Sequence, residues 1–200
     1  MPTYPGDTPS PRIESYFSPL GKDITMSEIH IGSHFGTHID APRHFYPNGK
    51  MLSDFAPERF VGNAICLKKP SGEPVPIDLT DGEVRNIREI KPSWILIHTG
   101  FDKNWLAKRY FHEHPYLSDN FARKIVDLRL SGVGIDFPSA DSATSEQDNF
   151  PVHHILMKAE VLILENLTGL EKLPDSDFFL AALPMNLKAE AAPTRVIGIF

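Results

Sequence analysis

Three observations predict an α/β fold. Short apolar runs of strand length, such as Trp94-Ile95-Leu96-Ile97 and Val161-Leu162-Ile163-Leu164, alternate with segments whose apolar residues recur at helical spacing. The 200 residues suffice for one core and are too few for two. No fixed-period repeat, low-complexity tract or linker divides them, so residues 1–200 read as one domain.

Residues 1–23 carry five prolines and read as an irregular arm, with Pro5-Gly6-Asp7 as a turn. Residues 24–31 read as a strand, and the slip in their alternation as a bulge. Gly36, Pro42 and the Pro47-Asn48-Gly49 turn forbid a long helix across 34–49, which reads as a loop. Asn63–Leu67 is a strand. Thr80-Asp81-Gly82-Glu83 is a capping box whose helix ends before Pro92. Residues 94–97 form a buried strand. Ser118 caps a helix carrying Phe121, Ala122, Ile125 and Leu128 on one face, with Gly132 as its stop. Val133–Asp136 is the next strand, Pro151 opens a short helix, Val161–Leu164 is a further buried strand, and Arg195–Phe200 ends as β.

Composition removes several classes of function. Apolar residues make up 41% and charged residues 23%, ordinary globular values that exclude a disordered chain. The net charge is −6 and no basic run stands out, which disfavours nucleic acid as a partner. The longest apolar run, Phe178 to Met185, is far shorter than a membrane span, and the N-terminus lacks the charged and apolar regions of a secretory signal. The lone Cys66 has no partner for a disulfide and reads as a core residue in a reducing, cytoplasmic setting.

Histidine is not ordinary. Four of the nine, His30, His34, His38 and His44, fall between residues 30 and 44. The stretch from Ser33 to Phe45 sets His34, His38 and Asp40 close together, and imidazole nitrogen with carboxylate oxygen is the ligand set that borderline divalent ions such as Zn²⁺ prefer. Phe35 and Gly36 exclude the zincin helix, which needs Glu directly after its first His. Gly36 permits close backbone approach and Pro42 stiffens the chain between Asp40 and His44, so these groups can converge. Glu165 ends a buried strand, the place where α/β sheets put ligands. A helix over 152–158 with a strand returning beside it brings His153 near Glu165. Elsewhere, Ser139 and Ser142 beside Asp141 lack a Gly-x-Ser-x-Gly elbow, and Gly132-Val133-Gly134 is too little for a dinucleotide fingerprint. His98, His112 and His114 read as structural or solvent-facing.

The pattern His-x-Gly-Thr-His-x-Asp-x-Pro-x-His is met at every fixed position from His34 to His44. With Pro5-Gly6-Asp7, Thr99-Gly100, Gly134-Ile135-Asp136 through Ser139 and Asp141, His153 followed after twelve residues by Glu165-Asn166-Leu167, and Pro193-Thr194-Arg195, the chain resembles the metal-dependent cyclase family that contains bacterial kynurenine formamidase and isatin hydrolase. The resemblance implies a swivelling β/β/α-like domain with a mixed sheet and two divalent metal ions, zinc or manganese. One ion would be held by His34, His38 and Asp40. Asp40 would bridge to a second, held by His153 and Glu165. His44 matches the proton-transfer residue, and His154 lacks the spacing that His153 keeps to Glu165. Tyr4 stands where kynurenine formamidases place a substrate-contacting Trp and is the candidate substrate-binding residue, with Phe45 and Trp105 as further aromatic surfaces. The implied activity is hydrolysis of a small amide, an arylformamide or cyclic amide, by a homodimer. A cyclase or dehydratase on the same metals, and a catalytically silent metal-binding protein, are the alternatives.

Overall fold

The computed structural model describes residues 11–17, 24–144 and 149–200, so Tyr4 and the Pro5-Gly6-Asp7 turn lie outside the described residues. Among the described residues, twelve strands and three α-helices follow in chain order: β1 (Arg12–Phe17), β2 (Thr25–His30), β3 (His38–Asp40), β4 (Val61–Lys68), β5 (Pro76–Ile77), α1 (Asp81–Ile90), β6 (Trp94–His98), β7 (Tyr116–Leu117), α2 (Asp119–Asp127), β8 (Gly132–Ile135), α3 (Pro151–Lys158), β9 (Leu162–Glu165), β10 (Phe178–Ala181), β11 (Ala191–Pro193) and β12 (Ile197–Ile199). Eight strands form one sheet in the order β11-β3-β9-β8-β6-β4-β10-β12. Its centre, β4-β6-β8-β9, is parallel, and both flanks are antiparallel, which makes the expected mixed sheet.

Each central strand is buried on both faces because alternate residues serve two cores. Ile95, Ile97, Val133, Ile135 and Ile163 face the helices and pack with Ile87 of α1, Phe121 and Ile125 of α2, and Val152 and Leu156 of α3. Trp94, Leu96, Leu162 and Leu164 face the other way and pack with Ile39, Phe60, Phe178 and Leu180. The helix starts follow their sequence signals. Thr80 and Glu83 close a reciprocal capping box on α1, and Ser118 Oγ accepts from the Phe121 amide at 2.9 Å.

Four readings are corrected. His38–Asp40 is strand β3, because its backbone groups pair with β9 and β11. The arm contains β1, which pairs with β2 in unbroken register from Arg12↔His30 to Phe17↔Thr25, so no bulge interrupts β2. This ribbon is exposed on both faces, which removes any demand for alternation. Gly132 does not stop α2, which ends at Asp127; it opens β8, where a Cβ would lie 2.2 Å from the Trp94 ring. The glycine lets the indole lie flat across the sheet.

Candidate metal centre and active site

The antiparallel register of β3 on β9 sets His38 opposite Glu165 and Asp40 opposite Ile163. Residues two apart on a strand share a face, so His38, Asp40 and Glu165 all project on the side of Ile163, under the helices. Pro151 starts α3 so that His153, in its first turn, meets the end of β9. The result is a buried cluster. His34 Nδ1 lies 3.0 Å from Asp40 Oδ1, His38 Nε2 lies 3.4 Å from Asp40 Oδ1 and 3.5 Å from Glu165 Oε2, and His153 Nε2 lies 3.5 Å from Glu165 Oε1. His153 Nε2 is also 3.9 Å from Asp40 Oδ2.

Among the described residues, two groups have ligand atoms all within 4.8 Å of one another: His34, His38 and Asp40, and Asp40, His153 and Glu165. Their shared member is Asp40. Beyond the close contacts within the cluster itself, His38 Nε2 and both carboxylate oxygens of Asp40 are shut off from solvent with no hydrogen-bond partner among the described residues. Buried polar atoms left in that state are costly unless something completes them, and three converging orphans with two further carboxylate oxygens nearby fit a divalent cation.

Neighbouring groups fix the ligand tautomers. His38 Nδ1 donates to the Gly36 carbonyl at 2.8 Å, and His153 Nδ1 donates to Asp141 Oδ2 at 2.6 Å, so both present Nε2 to the cluster. Asp141 also accepts from the Val152 and His153 amides, each at 2.9 Å, and thereby starts α3 while aiming its imidazole. Glu165 Oε1 accepts from the Ala140 amide at 3.0 Å. Asn166, in the left-handed region at φ 57°, ties the histidine segment down by donating to Gly36 O at 3.1 Å and accepting from Thr37 Oγ1 through its own carbonyl at 2.6 Å.

Burial opposes every charge in this cluster, and proximity overrides it. His34 rises above its ordinary value because of Asp40; His38 is pushed up to about 9 by Asp40 and Glu165, and His153 to about 10 by Asp141 and Glu165. Asp40 and Glu165 are held below the usual carboxylate range by the facing imidazoles. His44 moves the other way. Burial, aided by His34 and His153 and opposed by Asp40, lowers it.

Above the cluster lies a cavity of about 200 Å³ whose lining includes His34, His38, His44, His153 and Glu165 below and Phe45, Trp105, Phe111 and Phe150 around. The structure thus brings together His34, His38, Asp40, His44, His153 and Glu165. His44 stands against His34, ring centroids 4.2 Å apart, and belongs to neither potential ligand group. His154 turns outward to Tyr46. His98, His112 and His114 do not line the cavity, and Cys66 packs against the core as a thiol that burial pushes up to about 12. Ser139 lines the cavity, but its Oγ accepts from the Asp141 amide and Asp141 is committed to His153. Sequence reasoning did not assign Asp141 its role in orienting His153. It also missed Phe150, whose left-handed backbone at φ 52° turns an aromatic ring over His153. The Pro151 signal marks the helix start that carries this residue.

A fold of this topology around such a cluster defines a class. The Cyclase family model matches residues 1–142, and the chain belongs to that family. It is 32% identical over 197 residues to the kynurenine formamidase of Geobacillus thermodenitrificans, covering 98% of this chain and 90% of that one. Among solved structures it superposes on isatin hydrolase A from Labrenzia aggregata with a TM-score of 0.80 at 22% identity, over 98% of this chain and 86% of that one. It also superposes on a "predicted metal-dependent hydrolase" from Bacillus stearothermophilus with a TM-score of 0.74 at 26% identity, over 99% and 91%.

Proposed function

We propose that this chain is a metal-dependent hydrolase of a small amide, an arylformamide or cyclic amide, built as one domain over residues 1–200. The observation that carries the reading is the set of buried ligand atoms on His38 and Asp40, with no partner outside the cluster among the described residues, beneath an aromatic-walled cavity. His34, His38 and Asp40 would hold one divalent cation and Asp40, His153 and Glu165 a second, Asp40 being common to both groups. Zinc matches the nitrogen and oxygen donors, and manganese is the second candidate. Cations there would supply Lewis acidity toward water and a substrate carbonyl.

The protein's own groups do the rest. Phe45, Trp105, Phe111 and Phe150 keep bulk water from the cavity and bracket a planar ring, and about 200 Å³ admits only a small substrate. His44, neutral near pH 7 because its pKa is lowered, is placed to take the proton that the attacking water gives up and deliver it to the leaving nitrogen. Tyr4, by the family resemblance, is the proposed substrate-binding residue.

The unpaired Cys66 agrees with a reducing cytoplasm. No helix among the described residues is long and apolar enough to cross a membrane. The proposed assembly is a homodimer: Ile13, Phe17 and Ile29 on the β1–β2 ribbon and, separately, Ile197, Ile199 and Phe200 at the C-terminus are exposed apolar side chains available to a second copy.

The test is turnover of an arylformamide, lactam and lactone panel by metal-reconstituted protein, with elemental analysis of the same sample. Amide hydrolysis with close to two metals per chain is expected. Metal binding without turnover of any panel member refutes the activity. In parallel, Asp40→Asn is expected to weaken both metals and Glu165→Gln chiefly one; two variants with full metal content would remove these ligands.

A further inference from the structure

Three imidazoles belong to the two ligand groups, and two of them are held from behind. The Gly36 carbonyl braces His38 and Asp141 braces His153, each through Nδ1, so that each offers Nε2 to the cluster. His34 stands the other way round. Its Nδ1 faces Asp40 Oδ1 at 3.0 Å, and its Nε2 faces Glu190 Oε1 at 3.7 Å. No other acceptor faces that Nε2 among the described residues.

Glu190 reaches this point from the position just before β11. Its carbonyl accepts from the Ala41 amide at 2.8 Å, and the next residue, Ala191, pairs with Asp40, so its main chain is fixed to the strand that carries two of the ligands. A second contact steers its side chain: Ser33 Oγ donates to Oε1 at 2.6 Å. Burial raises the Glu190 pKa, and the Ser33 hydroxyl, its own amide and the imidazoles of His34 and His44 overcome that and hold it below the usual range. It is a carboxylate at neutral pH. It belongs to neither ligand group among the described residues.

The reversed orientation of His34 gives this carboxylate a task. A neutral imidazole carries one proton, and the close contact of Nδ1 with Asp40 calls for that proton on Nδ1. Ligation through Nδ1 needs the lone pair there, so the proton must then sit on Nε2, where it requires an acceptor. At 3.7 Å Glu190 Oε1 is too far for a hydrogen bond. Closing to about 3 Å takes a movement of roughly 0.7 Å, within reach of a part-exposed side chain.

We propose that Glu190 is the positioning residue for His34, accepting the Nε2 proton when Nδ1 serves as a ligand. The proposal rests on the two-cation reading and deepens it. His34 belongs to one ligand group whereas Asp40 belongs to both, so Glu190 governs one cation and leaves the other alone.

The experiment titrates chelator-stripped wild type, Glu190→Ala and Glu190→Gln with Zn²⁺ against a chromophoric chelator. Wild type is expected to take up two ions. Glu190→Ala is expected to bind one of them about 10–100-fold more weakly, the usual effect of removing the acceptor behind a ligating imidazole, and the other as wild type does. Glu190→Gln keeps an acceptor oxygen at the same reach and is expected to recover part of the loss. A second readout is the imidazole N–H region of the proton NMR spectrum. Zinc-loaded wild type is expected to show a His34 Nε2–H signal protected from exchange with water, and Glu190→Ala to lack it. Unchanged zinc affinity in Glu190→Ala, an equal loss at both ions, no recovery in Glu190→Gln, or an N–H signal that survives in Glu190→Ala overturns the assignment. Complete loss of one ion would make Glu190 a ligand and overturns it as well. Wild type that takes up a single ion refutes the two-cation reading alone, and the N–H signal still decides for Glu190; wild type that takes up none refutes both.

Discussion

His153 takes its aim from Asp141, twelve positions upstream, whose carboxylate holds Nδ1 and caps α3 at once. Asp141→Asn keeps one of the two oxygens that accept from the Val152 and His153 amides and removes the charge behind the imidazole. We expect a lowered melting temperature from the amide left without an acceptor, and a fall of about 10–100-fold in affinity for metal, measured by competitive chelator titration. An unchanged affinity would leave Asp141 as a helix cap only. His44 lies at the other extreme, against the cluster but outside both ligand groups. His44→Ala is expected to keep its metal and lose roughly 10²–10⁴-fold in turnover, the range for removing a general acid or base. Metal content and rate taken on one sample separate the roles, and a metal-depleted variant would make His44 a ligand. Because its pKa lies below the ordinary 6.5, the neutral form prevails at pH 7 and is lost on acidification below that pKa. Wild-type activity therefore falls on that acid side.

Elements matter here through the faces they present. β3 is three residues long, yet its pairing with β9 and β11 fixes which side of the sheet His38 and Asp40 occupy. A slip of one residue would send both to the opposite core and bring Ile39 into the cluster. On that opposite face the sheet depends on Gly132. Any Cβ there meets Trp94 at 2.2 Å, and the indole is fully buried with nowhere to move. Gly132→Ala is expected to cost about 1–3 kcal/mol or more by overpacking, seen as a lowered denaturation midpoint. A midpoint equal to wild type would mean that the tryptophan repacks freely.

Across the whole molecule, cations and protons compete for one buried site. Without metal, His38 and His153 are raised from 6.5 to about 9 and about 10 by the carboxylates that face them. A raised imidazole pKa contributes stability that is complete below pH 6.5 and drains away as pH climbs through the folded value. The chelator-treated protein should therefore lose stability between about pH 6.5 and 10, where divalent cations take over the role of the protons. We expect the rise in melting temperature on adding metal to be larger at pH 9 than at pH 6.5. A rise that does not vary with pH would show that these imidazoles do not face the cation.

At the same scale, the α/β class, the positions of α1 and α3 and the ligand-type residues were legible in the sequence, because capping boxes, proline at a helix start and buried strands are written in local patterns. The cluster from His34 to His44 stood out for the same reason: several metal-type side chains within a few turns of chain. Its conformation was not legible. Residues 38–40 carry glycine and proline at their flanks and look like a loop, and become a strand only through partners more than a hundred positions away in β9 and β11. Strands β10 and β11 escaped notice because short segments near prolines acquire strand character from their neighbours. The sequence alone therefore determined the chemistry available to this protein and the local elements that carry it. Only the tertiary structure decided that Asp141 stands behind His153 and that Phe150 roofs the cavity, since each depends on how segments pack together, which no local pattern encodes.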